Sequence, residues 1–303
     1  MIDMQPKASL NYRIGIDVGG TKIEGVVLDK DGNECIRLKY ATPRGSYSTI
    51  LQRIVDLYKD LSFSVGNEAH TLGIGTPGSI SPTTGLLRNC NATQLNGHPL
   101  HRELERRIGK PFAIENDANC FALAEAQLGA AKEYEDVLAL VLGTGVGAGL
   151  VVRGHLVSGR NRIAGEWGHM VLDPQGPQCY CGRRGCVESY LSGPALERQY
   201  TQITGQKLST EQIVHRAQFN DQDACRILDH FTEYFAQAVA SAVALVDPQA
   251  IVIGGGLASI DALYTKGAHR LRNLVFSDFY ETPILRNQLG NSAGVIGAAM
   301  IGI

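Results

Sequence analysis

The sequence predicts a duplicated α/β fold in which two lobes close over a cleft, and three observations carry that prediction. Two glycine-rich hairpins, Gly19-Gly20-Thr21 and Gly143-Thr144-Gly145-Val146-Gly147, each open one half of the chain. Each is followed by alternating strand and helix patterns, as expected when one α/β unit occurs twice. The 303 residues are 44% hydrophobic and 19% charged, a balance that suits two globular domains of roughly 100–200 residues each.

Arg13 to Val18 reads as a buried strand, Gly19-Gly20 as its turn, and Lys22 to Asp29 as the returning strand, stopped by Asp31-Gly32. Ile50, Leu51, Ile54, Leu57, Tyr58 and Leu61 fall at helical spacing, so an amphipathic helix is predicted over 46–61. Thr71 to Gly75 is a short strand running into Thr76-Pro77-Gly78. Leu100 to Ile108 is predicted helical, Pro111 to Glu115 extended, and Asn116-Asp117 begins a helix through Ala131. The pattern then repeats with a strand over Val137 to Leu142, the second glycine turn, and a strand over Gly149 to Val152. A long apolar helix, Phe231 to Val246, closes at Asp247-Pro248. The strand Ala250 to Ile253 follows and leads into Gly254-Gly255-Gly256.

Composition narrows the function. Lys and Arg number 28 against 30 Asp and Glu, a net charge of −2, which argues against a nucleic-acid surface and an acidic tail. Glycine is over-used, at 35 residues against an average near 7%, without collagen period or linker composition. Those glycines therefore serve tight turns and close backbone approaches. The polar start of the chain, 1–13, does not read as a secretory signal, so a cytoplasmic location is expected. The uncharged run 137–152 contains a G-x-x-x-G pattern at Gly145/Gly149, but it is shorter than the ~20 residues a bilayer requires, so no membrane association is expected.

Backbone N–H groups exposed at the two glycine hairpins can approach phosphate oxygens, with threonine hydroxyls as extra donors. No Walker loop is present, and each hairpin taken alone also reads as a purely structural turn. Asp17 before the first hairpin is placed to orient Mg²⁺ through its waters or to bond its own turn, and Lys22 follows it. Gly254-Gly255-Gly256 reads either as a loop laid against a planar ligand such as adenine or as a tight strand-to-helix turn. Asp117 reads as a helix N-cap or as a general base that accepts the proton of an attacking hydroxyl.

The most specific local pattern is His169, Cys179, Cys181 and Cys186, a Cys₃His set that Zn²⁺ takes up in closed structural sites. The intervening Gln178, Tyr180, Gly182, Arg183, Arg184 and Gly185 are too polar and turn-prone for a core of buried free thiols. Glu166 and Glu188 flank these residues, and such a braced loop suits the gripping of vicinal sugar hydroxyls. Glu188 also reads as a solvated helix start.

Taken together, Gly15-Ile16-Asp17-Val18-Gly19-Gly20-Thr21-Lys22, Gly75-Thr76-Pro77-Gly78, Asn116-Asp117-Ala118-Asn119, the segment Leu142 to Gly149, Gly165-Glu166-Trp167-Gly168-His169, the segment Cys179 to Glu188, and Asp247-Pro248 through Gly256 resemble the ROK family of sugar kinases and sugar-sensing repressors. The resemblance runs from Arg13 to about Gly302. It implies an actin-like, hexokinase-type (ribonuclease H-like) fold, here 1–118 with 291–303 as a small lobe and 119–290 as a large one. It implies Asp117 as catalytic base, with Gly78, Asn91, Asn116, Glu166, His169 and Glu188 around the sugar. Asp17, Gly19, Gly20, Thr21, Lys22, Gly143, Thr144 and Gly145 would serve the phosphates of Mg-ATP, and Gly255 and Gly256 the adenosine. His169 would hold structural zinc through one nitrogen and a sugar hydroxyl through the other. A homodimer is the usual assembly of such kinases.

Related kinases often carry a tryptophan shortly after the residue matched by Asn91, where this chain has Gln94-Leu95. The repressors carry a DNA-reading module, and the sixteen residues ahead of Asp17 are too few for one, so an enzyme without nucleic-acid partners is expected. Gly75 to Gly85, Asn89 to Thr93 and Leu95-Asn96-Gly97 look most like bacterial fructokinases with mannokinase activity, and less like the N-acetylglucosamine kinases. Fructose is therefore the expected acceptor for transfer of the γ-phosphate to the 6-hydroxyl. N-acetylglucosamine kinase and a non-catalytic sugar sensor are the alternatives.

Overall fold

In the computed structural model, which describes residues 11–90 and 92–303, both glycine hairpins join antiparallel strands as the sequence predicts. The chain divides into two units. The first holds the residues up to Ala124 together with Ser158–Ile163 and Ser292–Ile303, and the second holds Glu125–Val157 and Ala164–Asn291. The break falls inside a helix, beyond the expected boundary at 118, and segment 158–163 goes with the first unit.

In the first unit, β1 (Tyr12–Val18), β2 (Lys22–Asp29) and β3 (Glu34–Ala41) form an antiparallel meander. Helix α1 (Tyr47–Ser64) leads to β4 (His70–Thr76) and a small ribbon of β5 (Ser79–Ile80) with β6 (Leu87–Arg88). Then come α2 (Leu100–Ile108), β7 (Ala113–Asn116) and α3 (Asp117–Gln127). The sheet order is β3-β2-β1-β4-β7, with β1, β4 and β7 parallel. In β1, Ile14 and Ile16 are fully buried, and α1 packs Ile50, Leu51, Ile54, Leu57 and Leu61 into the same core. The helical spacing read from sequence thus marks the buried face of α1.

The second unit repeats this plan. Strands β8 (Val137–Leu142), β9 (Val146–Val152) and β10 (His155–Leu156) form the meander. Helices α4 (Glu188–Leu191), α5 (Gly193–Thr204), α6 (Thr210–Gln218) and α7 (Gln222–Val246) precede β11 (Ala250–Gly254), α8 (Lys266–Leu274) and β12 (Ile284–Arg286). The order β10-β9-β8-β11-β12 has the same succession of antiparallel and parallel neighbours as the first sheet. The apolar run 137–152 is therefore β8, a turn and β9, and no helix among the described residues is long and apolar enough to cross a membrane.

Several elements depart from the sequence expectation. Helix α3 stops at Gln127, short of Ala131, because Ala130 N–H bonds the Glu125 side chain at 2.8 Å and leaves the helical ladder. Helix α7 begins at Gln222, well before Phe231, because the Asp221 side chain accepts the Ala224 N–H at 2.9 Å and caps it. Strand β3 is an edge strand rich in charge, with little alternation to reveal it.

Helix α9 (Ala293–Met300) carries Gly294 and Gly297, poor helix formers that conceal it from a propensity reading. Its backbone lies directly on β1 and β4. A Cβ on Gly15 would stand 2.3 Å from the Val295 carbonyl oxygen, and one on Gly73 2.0 Å from that of Ala298. Part of the glycine excess is thus consumed by one helix–sheet contact. Leu95, in the short stretch after Asn91, is buried in the first unit's core.

Candidate active site

In the first unit, the hairpin between β1 and β2 is closed by Gly19 N–H donating to the Lys22 carbonyl at 2.9 Å, while Gly20, Thr21 and Lys22 remain exposed. Lys22 is not loose. Its Nζ donates to Glu24 at 2.6 Å, and Glu24, 2% exposed, also receives Arg37 at 2.6 Å and Lys39 at 3.4 Å. Burial alone would raise the Glu24 pKa, but the hydrogen bonds from Lys22 and Arg37 outweigh it and hold the carboxyl below its ordinary range.

Asp17, at the end of β1, shows the opposite behaviour. Burial, then the charge of Asp117, then that of Glu24 push its pKa from 3.8 up to about 7, with Lys22 opposing. A carboxylate destabilised by a neighbouring carboxylate is a fit donor for a divalent cation or its water shell. Because the folded-state pKa is raised, stability falls as pH rises from about 4 to about 7, where the unfolded chain has given up a proton that the fold retains. In buffer free of Mg²⁺ and nucleotide, Asp17→Asn is expected to flatten the decline of Tm across that window. Parallel Tm profiles for the variant and wild type would refute this.

The β7-to-α3 turn carries the expected base. Asn116 stands immediately ahead of the helix, and its Oδ1 accepts Ala118 N–H at 2.9 Å, so the cap that spacing alone assigned to Asp117 falls to Asn116. Asp117 is the first helical residue, and its Oδ1 also accepts Ala118 N–H, at 2.8 Å. A carboxylate has no proton to donate until it accepts one, so Asp117 at the start of α3 offers its oxygens as acceptors. Gly78 is buried where a Cβ would stand 2.4 Å from the Arg88 carbonyl oxygen. Asn91 lies outside the described residues; the loop beside it is clamped by Asn96, which exchanges two 2.9 Å hydrogen bonds with the Cys90 backbone.

In the second unit, His169, Cys179, Cys181 and Cys186 are brought together with their ligand atoms all within 4.8 Å of one another. Cys179 Sγ lies 3.6 Å from His169 Nδ1, and Cys181 Sγ lies 3.6 Å from Cys186 Sγ. A tetrahedral zinc with Zn–S of about 2.3 Å and Zn–N of about 2.0 Å sets ligand edges of roughly 3.5–3.8 Å, so the residues fit the ion. The loop is shaped by backbone bonds, Cys179 N–H to the Arg183 carbonyl at 2.8 Å and Gly185 N–H to that of Pro177 at 2.7 Å.

His169 Nε2 lies 3.1 Å from the Tyr180 hydroxyl, so the nitrogen expected to meet a sugar already has a protein neighbour. Trp167 pins the turn that bears Glu166 and His169 by donating its indole N–H to the Ala238 carbonyl at 3.2 Å. Glu188 opens α4 and accepts Val146 N–H at 2.9 Å, which ties the loop to the second glycine hairpin.

That hairpin borders a cavity of about 480 Å³, within the size range of small-molecule sites. Gly143, Thr144 and Gly256 line one part of it, and Pro194, Thr210 and His215 another. Gly255 has φ of +81°, and a Cβ there would stand 2.3 Å from the Leu142 carbonyl oxygen, so only glycine passes this point. The sequence reading located the glycine side of the cavity and missed the α5 and α6 side, which carries no motif. Glu115, the buried residue of β7 next to Asn116, carries no sequence signal of its own.

The ROK family model matches residues 13–302. The N-acetyl-D-glucosamine kinase of Pectobacterium atrosepticum is 35% identical over 297 residues, covering 95% of this chain and 97% of that protein. The crystal structure of a ROK hexokinase from Thermus thermophilus matches with a TM-score of 0.87 at 32% identity, over 96% of this chain and 97% of that one. A ROK family glucokinase from Streptomyces griseus, solved in complex with glucose and AMPPNP, matches with a TM-score of 0.80 at 29% identity, over 96% and 99%. The fold class is accordingly the hexokinase-type one that the sequence led us to expect.

Proposed function

Because the chain belongs to the ROK family and is a sugar kinase, we propose that it transfers the γ-phosphoryl group of ATP to the 6-hydroxyl of a hexose with Asp117 as general base. The observation that carries this reading is the β7-to-α3 turn, where Asp117 sits at a helix N-terminus and Asn116 takes over the capping. Asp117 accepts the hydroxyl proton as the oxygen attacks phosphorus. The exposed backbone of Gly20 and Thr21 in the first unit, and that of Thr144 and Gly145 in the second, donates N–H groups to phosphate oxygens, while Gly19 and Gly143 spend their N–H groups closing the two turns. Lys22 is held ready by Glu24. The second-unit cavity beside Gly255 and Gly256 takes the adenosine.

Magnesium, when bound with ATP, supplies charge neutralisation at the β- and γ-phosphate oxygens, and Asp17 would hold its water shell. Zinc, when bound, supplies bracing to the loop through His169, Cys179, Cys181 and Cys186. By resemblance, Gly78, Asn91 and Asn116 are the hexose-binding residues of the first unit; those of the second, taken by itself, are Glu166, His169 and Glu188. Thiolate ligands suit a reducing compartment, which supports the cytoplasm. Assembly as a homodimer is checked by light scattering.

The hexose we assign is N-acetyl-D-glucosamine, since the 35% identical curated relative acts on that sugar by name. Fructose, the expectation from sequence, draws no support from it. A site with a partner for an acetamido group loses about 1–3 kcal/mol when that partner is left unpaired. A panel of hexoses with Mg-ATP is expected to give N-acetyl-D-glucosamine a kcat/KM about tenfold or more above fructose, mannose and glucose. If fructose leads the panel, the substrate assignment falls and the kinase remains; if no hexose is turned over, the reading itself falls.

A further inference from the structure

We propose that Arg162 is a positioning residue for phosphoryl transfer, acting through Glu115 on the turn that carries Asn116 and Asp117. This rests on the reading of Asp117 as general base. Glu115 is the residue directly before that turn and is 9% exposed. Its Oε1 accepts Asn116 backbone N–H at 2.9 Å and Asn119 Nδ2 at 3.1 Å. Its Oε2 accepts the Ser158 hydroxyl, and Arg162 Nη1 at 3.2 Å. One buried carboxylate thus joins the end of β7, the first turn of α3 and the 158–163 segment, all within the first unit.

Two further observations show that the Arg162 side is built rather than incidental. Arg162 has φ of +55°, a conformation that glycine takes freely and that costs a larger residue of order 1 kcal/mol or more. A residue held there is held by its surroundings, and here the surroundings are the ion pair with Glu115 and the adjacent bond from Arg88 Nη2 to the Asn161 carbonyl at 2.7 Å. Removing Arg162, whose side chain is 48% exposed, takes the paired cation from the enclosed Glu115 carboxylate and leaves its charge to the neutral donors Ser158, Asn119 and Asn116 N–H. Without Arg162 the carboxylate therefore turns toward water or draws on its other donors, one of which is the backbone N–H of Asn116. The orientation of Asn116 and Asp117 then shifts. Phosphoryl transfer is sensitive to such shifts, because a displacement of about 1 Å in the reacting geometry costs on the order of 10²-fold in rate.

The test compares Arg162→Gly, Arg162→Lys, Glu115→Gln and the Glu115→Gln/Arg162→Gly double variant, with Asp117→Asn assayed in parallel. Tm, kcat, and KM for ATP and for the best hexose of the panel are measured. Glycine is at ease at this φ, so Arg162→Gly is expected to fold, to lose about tenfold or more in kcat, and to keep KM for ATP within about twofold. Arg162→Lys is expected to recover most of kcat by restoring the charge. The double variant is expected to lose no more than the worse single variant, as when two residues act as one unit.

Retention of more than about half of wild-type kcat by Arg162→Gly, whatever its Tm, overturns the proposal, as does simple additivity in the double variant. Should Arg162→Gly not fold, Glu115→Gln decides, since wild-type kcat in that variant overturns the proposal equally. If Asp117→Asn keeps its turnover, the base reading fails. If Asp117→Asn is dead while Arg162→Gly turns over normally, only the positioning role fails.

Discussion

Asp117→Asn is expected to lower kcat by ~10²–10⁴-fold, the usual cost of losing a general base, while hexose binding survives. The carboxamide preserves the size of the side chain at the first position of α3, and the Asn116 cap on Ala118 stays in place. What disappears is the capacity to take the hydroxyl proton. Burial is the main cause of the raised Asp17 pKa and the Asp117 charge the second, so with that charge removed Asp17 should ionise at somewhat lower pH in the variant, with its decline in Tm displaced accordingly. Calorimetric titration with hexose, beside steady-state kinetics, separates the two effects. A kcat above about half of wild type would return Asp117 to a structural role at the helix start.

Purified without chelator, the protein is expected to carry one zinc per chain, and Cys181→Ala to lose it together with much of the affinity for hexose. The four ligand atoms lie within 4.8 Å of one another, so with zinc absent the thiols and imidazole have no common partner. Zinc binding is folding free energy for such a loop. The loop is continuous with Glu188, which holds Val146 N–H, and with the turn bearing Glu166 and His169. Its loosening should raise KM for hexose about tenfold or more while altering KM for ATP much less. Metal analysis by mass spectrometry reads the first outcome and the two KM values the second. A zinc-free wild-type protein with full activity would refute the assignment.

The cluster of His169, Cys179, Cys181 and Cys186 shows how far local sequence reaches. Cys179, Cys181 and Cys186 lie within one short loop, so chain geometry alone keeps them close, and their residue types are those of a closed structural zinc site. The glycine hairpins were equally legible, because a two-strand turn is a local object whose residues are contiguous. The same holds for α1, whose helical spacing records directly which face is buried, and for β2 and β8, whose mainly apolar runs are buried almost throughout.

The sequence by itself determined the duplicated α/β plan and the family, and it named the base candidate and the residues that the fold brings together as a cluster, His169, Cys179, Cys181 and Cys186, all of which depend on contiguous residues or on short-range periodicity. Tertiary structure alone decided the rest. Only packing shows that Gly15 and Gly73 exist to admit the backbone of α9, since no local signal connects residues more than two hundred positions apart. Only packing places Tyr180 beside the second nitrogen of His169, and only packing brings Arg162 to Glu115 across 47 positions. The physical reason is the same in each case. A backbone turn or a helical face is selected by the residues that form it, whereas a side chain's partner across the fold is selected by the shape of the assembled core, which no window of sequence contains.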